Sequence, residues 1–274
     1  MSAARLLFPF LAVLTGCVSS PRPAGPELIP GDASAPSRVS PAQALATAQL
    51  YAKHPWQPFA RNILHGRDHS GIQVDTPDIG YHPPNGRNGW WIPGEVNEGI
   101  PYKWGGFDDP ASFDAAIAAG HAAGDVSSPA KRMADNQAVS STAAGVDCSG
   151  FVSRCLGLPV VYDTLRLPSI CVPLATAQDL RAGDLLIIPH QHVLLVAGWA
   201  RPDHSWICYY ETGGIPEWKP QLKQSPLDKL LALGFQPMRY RGMARQAGPP
   251  GKEVLTRAMR TTAVVVEEPV IGAP

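Results

Sequence analysis

Proline and glycine set the first limit on this chain: 29 prolines and 26 glycines make up one residue in five of its 274. Proline removes a backbone donor and fixes φ, while glycine weakens both helix and strand interiors. Regular elements are therefore confined to the stretches these residues spare. Residues 18–39 (Val18-Ser-Ser-Pro-Arg-Pro-Ala-Gly-Pro) have no apolar period and read as a flexible tether. Ser40-Pro41 is a helix start, with a capping hydroxyl followed by proline at the first helical position, and the helix 41–54 ends before Pro55. From 56 to 101 the chain is rich in Trp, Pro, Gly and Asn and reads as loops wrapped on a core. Residues 110–123 form an Ala-rich helical candidate and 125–144 are polar and loop-like.

The pattern tightens after Gly145. Asp147 caps a short amphipathic helix to Leu156, with Phe151, Val152, Cys155 and Leu156 on one face and Gly157 as its stop. Leu185–Ile188 and Val193–Ala197 are apolar runs of strand length, separated by Pro189-His-Gln-His192. Ser205–Thr212 is an aromatic-rich strand ended by Gly213-Gly214, and a last short strand falls around Phe235–Tyr240. Residues 244–274 read as a disordered tail. A helix followed by consecutive strands is an α+β order.

Charge and cysteine content exclude several classes. With 23 basic and 23 acidic residues the net charge is zero, so no electrostatic attraction to nucleic acid or anionic lipid is expected. An apolar fraction of 45% is too high for a wholly disordered protein. The five cysteines (Cys17, Cys148, Cys155, Cys171, Cys208) are too few for a disulfide scaffold, and without a Cys-x-x-Cys they form no zinc motif. One bridge among Cys155, Cys171 and Cys208 is compatible with an oxidising compartment, with the pairing left open. No cofactor or metal is expected.

Met1–Ser20 carries Arg5, an apolar run Leu6–Leu14 and then Thr15-Gly16-Cys17. The run matches the core of a signal peptide and falls far short of the ~20 residues a membrane-spanning helix needs. Leu14-Thr15-Gly16-Cys17 resembles a bacterial lipobox, which implies a signal peptide over 1–16 and an acylated Cys17 that anchors the chain to a membrane surface. Val18 in place of Asp implies sorting to the outer membrane, facing the periplasm, in a Gram-negative host. The alternative is an ordinary secretory signal in which Cys17 has no role.

Cys148 lies in the first turn of its helix, near the positive end of the macrodipole, where an activated nucleophile is favoured. His192 opens a strand, so its ring can face a helix N-terminus. Glu211, near the end of the next strand, can hold that imidazole in one tautomer. Nucleophile on a helix with base and orienter on adjacent strands is the order of papain-like cysteine peptidases. The alternatives are a small buried core cysteine, His190 as the base, or His190 and His192 as a metal pair.

At this point the chain resembles the NlpC/p60 cell-wall peptidases. The matching segments are Pro101-Tyr102-Lys103-Trp104-Gly105-Gly106, Gly145-Val146-Asp147-Cys148-Ser149-Gly150-Phe151-Val152, Leu180-Arg181-Ala182-Gly183-Asp184-Leu185, and His192-Val193 running into Gly198. They span about 101–212, two-fifths of the chain, in the family's order. The resemblance implies a papain-like fold, with the nucleophile helix packed on an antiparallel sheet and a loop-rich extension before it. In that fold Cys148 attacks an amide carbonyl, His192 is the general base and Tyr102 helps bind the oxyanion. Asp147 and Ser149 lie near the substrate's amino group. The family's substrates are peptidoglycan stem peptides, cut between D-glutamate and a diamino acid.

The implied organisation is a signal peptide (1–16), lipidated tether (17–40), extension (41–100), catalytic domain (101–243) and tail (244–274). Three departures stand out. A spacer of 38 residues (107–144), far longer than the family's, separates Tyr102 from the cysteine motif. The third polar residue, commonly His in the family, falls on Glu211 by strand placement and on His204 by counting from His192. No Src-homology-3-like targeting domain is recognisable in the sequence, and the Trp-rich segment 56–101 occupies its place. The rival readings are an inactive cell-wall-binding or scaffold lipoprotein of the same fold, and an amidase or acyltransferase of a related one.

Overall fold

The structure, a computed structural model, describes residues 38–214, 217–244 and the backbone of 264–265. Cys17, the signal and tether readings up to residue 37, and nearly all of the 244–274 tail lie outside the described residues. The described chain is mixed α and β, with antiparallel sheet and short helices.

Helix α1 (Pro41–Lys53) starts as its sequence dictates: Ser40 and Gln43 form a reciprocal capping box with Pro41 at the first position. The extension after it holds only short pairs: β1 (Pro55–Trp56), β2 (His65–Arg67), β3 (Gln73–Asp75) and β4 (Asn97–Glu98), with β1 on β4 and β2 on β3. Where so little ladder exists, side chains fasten the backbone. The indole N–H groups of Trp56, Trp91 and Trp104 donate to the carbonyls of Gly99, Ala123 and Asp135, at 2.8, 3.1 and 3.2 Å. Trp91 is fully buried and belongs to the core.

The 110–123 helix is shorter than its alanines suggest. Helix α2 (Pro110–Ala118) stops as Gly120 turns to a φ of +92°, and Ala122–Ala123 instead form β5, parallel to β6 (Ala143–Ala144). Between them, Ser128 caps α3 (Pro129–Ala134), a helix the polar composition had hidden. The spacer closes on itself. Asp108 N–H donates to the Gly145 carbonyl at 3.2 Å and Gly145 N–H to the Asp108 carboxylate at 2.7 Å, so its two ends meet.

Helix α4 (Cys148–Cys155) is capped by Asp147, whose carboxylate accepts from Gly150 N–H at 2.6 Å. It packs against α1, with Tyr51 and Phe151 edge to face at 5.8 Å. The main sheet follows: β7 (Cys171–Pro173), β8 (Leu185–Ile188), β9 (His192–Trp199), β10 (Trp206–Glu211), β11 (Gln221–Pro226), helix α5 (Leu227–Ala232), β12 (Gln236–Tyr240) and β13 (Val264–Val265). Its order is β13-β11-β10-β9-β8-β12-β7, antiparallel except for the β11–β13 pair.

Alternation sorts the side chains into two layers. Val193, Leu195 and Ala197 join the core that includes α4, while Leu194 and Val196 join Leu227, Leu230 and Phe235 beneath α5. Cys155, Cys171 and Cys208 are buried free thiols, and among the described residues no bridge joins them. Burial pushes Cys171 up to about 12 and Cys208 up to about 11, so these thiols are unreactive packing groups.

Candidate active site

The first site element is a pair of adjacent strips of main chain. Tyr102 bridges to Val146, with Lys103 N–H donating to the Val146 carbonyl at 3.1 Å and Asp147 N–H to the Gly106 carbonyl at 3.1 Å. This approach needs glycine on both sides: a Cβ on Gly106 would stand 2.4 Å from the Gly145 oxygen, and one on Gly150 would stand 1.9 Å from the Gly106 oxygen. The Gly-Gly and Cys-Ser-Gly pieces thus place Tyr102 beside the N-terminus of α4. The long spacer leaves this contact intact because its ends are hydrogen-bonded together.

Cys148 is the first residue of α4 and half-buried. His192 begins β9, its side chain 13% exposed; its ring packs edge to face with Phe235 at 6.2 Å and hydrogen-bonds to the Cys148 thiol. Its Nε2 lies 2.6 Å from Oε2 of Glu211, which leaves Nδ1 as the ring nitrogen for the sulfur. Burial alone would lower the imidazole. Cys148, through charge and a hydrogen bond, and then Glu211 outweigh it and raise the ring to about 10. Burial would likewise raise Glu211, but Lys223 and His192 take its carboxyl down to about 2. Nε2 therefore carries a proton and donates to a carboxylate.

Lys223 is the part of this chain of groups that sequence reasoning missed. Its ammonium, 2% exposed, pairs with Oε1 of Glu211, opposite the oxygen that faces His192. The segment Gln221–Pro226 holds one aliphatic residue, Leu222, and carries no strand signal. Yet β11 pairs with β10 along its length, with Lys223 opposite Tyr209 and Gln221 opposite Glu211. Glycine again permits the close packing: a Cβ on Gly214 would stand 2.2 Å from the Glu211 carboxylate.

Tyr102 is 5% exposed and packs on Trp218 with ring centroids 5.4 Å apart. Burial, with Cys148 and Asp147 adding to it, holds its hydroxyl well above the usual phenol range, so it stays a proton donor. Asp147 is committed to the helix. One carboxylate oxygen accepts from Gly150 N–H and, at 2.8 Å, from the Ser149 hydroxyl, while burial raises its pKa against those bonds and the nearby Lys103. Lys103 is buried among Asp108, Asp125 and Asp147, a charge contact not anticipated from sequence.

The competing histidines fall elsewhere. β8 ends at Ile188, which pairs with His192, so Pro189, His190 and Gln191 form the hairpin turn; His190 sits at a φ of +62°, exposed. It does not share the face of His192. His204 occupies the next hairpin turn at a φ of +59° and stacks on Trp199 at 4.2 Å. The structure thus brings Cys148, His192, Glu211 and Tyr102 together and leaves His190 and His204 outside.

Compared with known proteins, the chain matches no protein-family model, no curated protein and no solved structure.

Proposed function

We propose that this chain is a cysteine-type hydrolase with a papain-like fold of the NlpC/p60 kind, acting on an amide bond in peptidoglycan stem peptides. The observation that carries the reading is the line of contacts from Cys148 at a helix N-terminus to His192 to Glu211, with the imidazole fixed at 2.6 Å from the carboxylate. A nucleophile, a base and an orienter in mutual reach are what acyl transfer requires.

In this mechanism the Cys148 sulfur attacks the amide carbon and the His192 imidazolium supplies a proton to the departing amine. A thioester remains. Neutral His192 then takes a proton from water, which attacks the thioester carbon and releases the acid while sulfur regains its resting form. The Tyr102 hydroxyl donates to the carbonyl oxygen as it gains negative charge. Glu211 keeps Nε2 protonated, so that Nδ1 is the nitrogen presented to sulfur. The choice of stem peptides, and of the bond after D-glutamate, follows from the resemblance of the four ordered segments.

The lipobox-like Leu14–Cys17 supports an envelope lipoprotein held by lipid on Cys17, with peptidoglycan within reach of the tether. Among the described residues no helix is long and apolar enough to cross a membrane. The full-length protein in detergent, given purified muropeptides, tests the activity. Mass spectrometry should show two fragments whose masses sum to that of the substrate plus one water, and Cys148→Ala should abolish them. Unchanged turnover in Cys148→Ala would end the nucleophile assignment.

A further inference from the structure

The ring of Tyr102 is held by a residue that lies outside every recognisable segment. Its backbone is fixed separately: Tyr102 N–H donates to the Trp218 carbonyl at 2.7 Å, its carbonyl accepts from Asp125 N–H at 2.8 Å, and it bridges to Val146. The ring itself rests on two neighbours. Trp218 packs on it with centroids 5.4 Å apart, and Gly213 comes so close that a Cβ there would stand 2.6 Å from a ring carbon.

Arg87, in the turn after Pro83-Pro84, fastens both neighbours. Its guanidinium lies 3.7 Å over the ring of Trp218, and one of its N–H donors goes to the Gly213 carbonyl. A guanidinium does both at once, because its plane stacks on an indole while its edge keeps donors free. Trp218 returns its indole N–H to the Arg87 carbonyl at 3.2 Å, and Trp90 donates to the Trp218 carbonyl at 3.1 Å. The other site groups have a firmer frame. Glu211 ends β10, which pairs with β9 and β11, and His192 opens β9, which pairs with β8 and β10. Tyr102 has a single bridge, and its hydroxyl is at the far end of the ring, so a small rotation would carry it away from the oxygen it is to meet.

We propose that Arg87 is a positioning residue of the hydrolase: by clamping Trp218 and Gly213 against the Tyr102 ring, it holds the phenol hydroxyl where the substrate's carbonyl oxygen gains charge. The inference rests on the hydrolase reading and deepens it. It gives the loop-built extension a part in the chemistry at Cys148.

The test measures kcat and KM of the full-length protein in detergent on purified muropeptides, for Arg87→Met, Tyr102→Phe and the double variant. Losing an oxyanion donor costs about 10²–10³ in kcat, and displacing one costs less. Tyr102→Phe should therefore lower kcat roughly hundredfold and Arg87→Met roughly tenfold, each with KM within about twofold, since the bond is made in the transition state. The double variant should be no slower than Tyr102→Phe, because Arg87 acts through a hydroxyl already removed. Alkylation of Cys148 by iodoacetamide develops no oxyanion, so its rate and pH profile should stay the same in all three variants. Arg87→Lys keeps a cation for Trp218 and a donor for Gly213, and guards against a methionine variant that does not fold. Its kcat should fall roughly threefold, and not at all in a Tyr102→Phe background. Undiminished kcat in folded Arg87→Met, a loss that multiplies that of Tyr102→Phe, or a matching loss of alkylation overturns the positioning role and leaves the hydrolase reading standing. If the wild-type protein cleaves no muropeptide and its Cys148 is alkylated no faster than free cysteine, the hydrolase reading fails and the role of Arg87 fails with it.

Discussion

A lysine is buried against a carboxylate in each half of the described chain, and the two pairs do different work. In the loop-built half, Lys131 meets Asp125 at 2.6 Å and also donates to the carbonyls of Gln73 at 2.6 Å and Ala138 at 3.4 Å. Three segments with little sheet between them are tied at one ammonium. In the sheet half, Lys223 meets Glu211 on neighbouring strands whose ladder already fixes the backbone. There the ammonium is not needed to hold the chain together. It sets the charge and orientation of the carboxylate that holds His192. The same pair of residue types is a fastening where hydrogen-bonded strands are missing and an adjustment of the site where they are present.

The largest expected effect tests that contrast by removing each ammonium. Lys131→Met leaves Asp125 buried with one backbone donor, Asp75 N–H at 3.3 Å, and strands two carbonyls. Breaking a buried pair in this way costs about 3–5 kcal/mol, read as a lowered urea midpoint. Lys223→Met should cost less, about 2 kcal/mol, because His192 still faces Glu211. The functional order is reversed. Lys223 is the largest influence favouring ionised Glu211, so its loss should move the acid limb of the Cys148 alkylation profile to higher pH by about one unit. Lys131→Met should leave that profile in place. A Lys131 variant that shifts the profile, or a Lys223 variant that does not, would break the comparison.

Acid should separate the halves next. Burial raises Asp125 from 3.8 to about 6, with Lys131 only partly offsetting it. A raised folded pKa gives stability that is present below the unfolded value and lost as pH rises through about 6, so acidification from pH 7 to 5 should tighten the loop half. Glu211 is lowered from 4.5 to about 2. Its stability is present above 4.5 and lost as pH falls toward 2. Hydrogen-exchange protection at Asp75 and Val126 should therefore rise between pH 7 and 5, while protection in β10 and β11 should hold until about pH 4.5 and then fall. His192 adds a limit on the other side: its stabilisation is complete below 6.5 and lost as pH rises through about 10. Parallel changes in both halves would show that the two pairs belong to one cooperative unit.

The same division explains what the amino-acid sequence made legible. Capping residues and apolar runs speak directly of local structure, so Ser40, Asp147 and the strands from Leu185 to Glu211 are readable. Cys148, His192 and Glu211 follow from them because each sits at the end of a readable element. β11 was hidden, since Gln-Leu-Lys-Gln-Ser-Pro is polar and becomes a strand only because β10 offers a paired neighbour. With it went Lys223. β5 misled in the opposite direction: alanine favours helix, and tertiary pairing with β6 prevailed over that preference after Gly120. Arg87 carried no local signal at all, since it is defined by Trp218 and Gly213, far away in the chain.

The smallest effect concerns the tryptophans that stand in for sheet in the loop half. Trp91 is wholly buried and donates its indole N–H to Ala123 at 3.1 Å, next to the β5–β6 pair. Trp91→Phe keeps an aromatic ring but removes the donor and some volume, and should cost about 1–2 kcal/mol. In the sheet half, Trp199 makes a similar bond to the Leu180 carbonyl at 3.1 Å, but its backbone is already held in the β9–β10 ladder and its side chain is only partly buried. Trp199→Phe should therefore cost less, about 0.5–1 kcal/mol. Equal losses at the two positions would mean that neither burial nor the length of the neighbouring ladder sets what an indole bond is worth. A larger loss at Trp91 is expected if burial and the short β5–β6 ladder together make its bond to the Ala123 carbonyl a main fastening of that backbone.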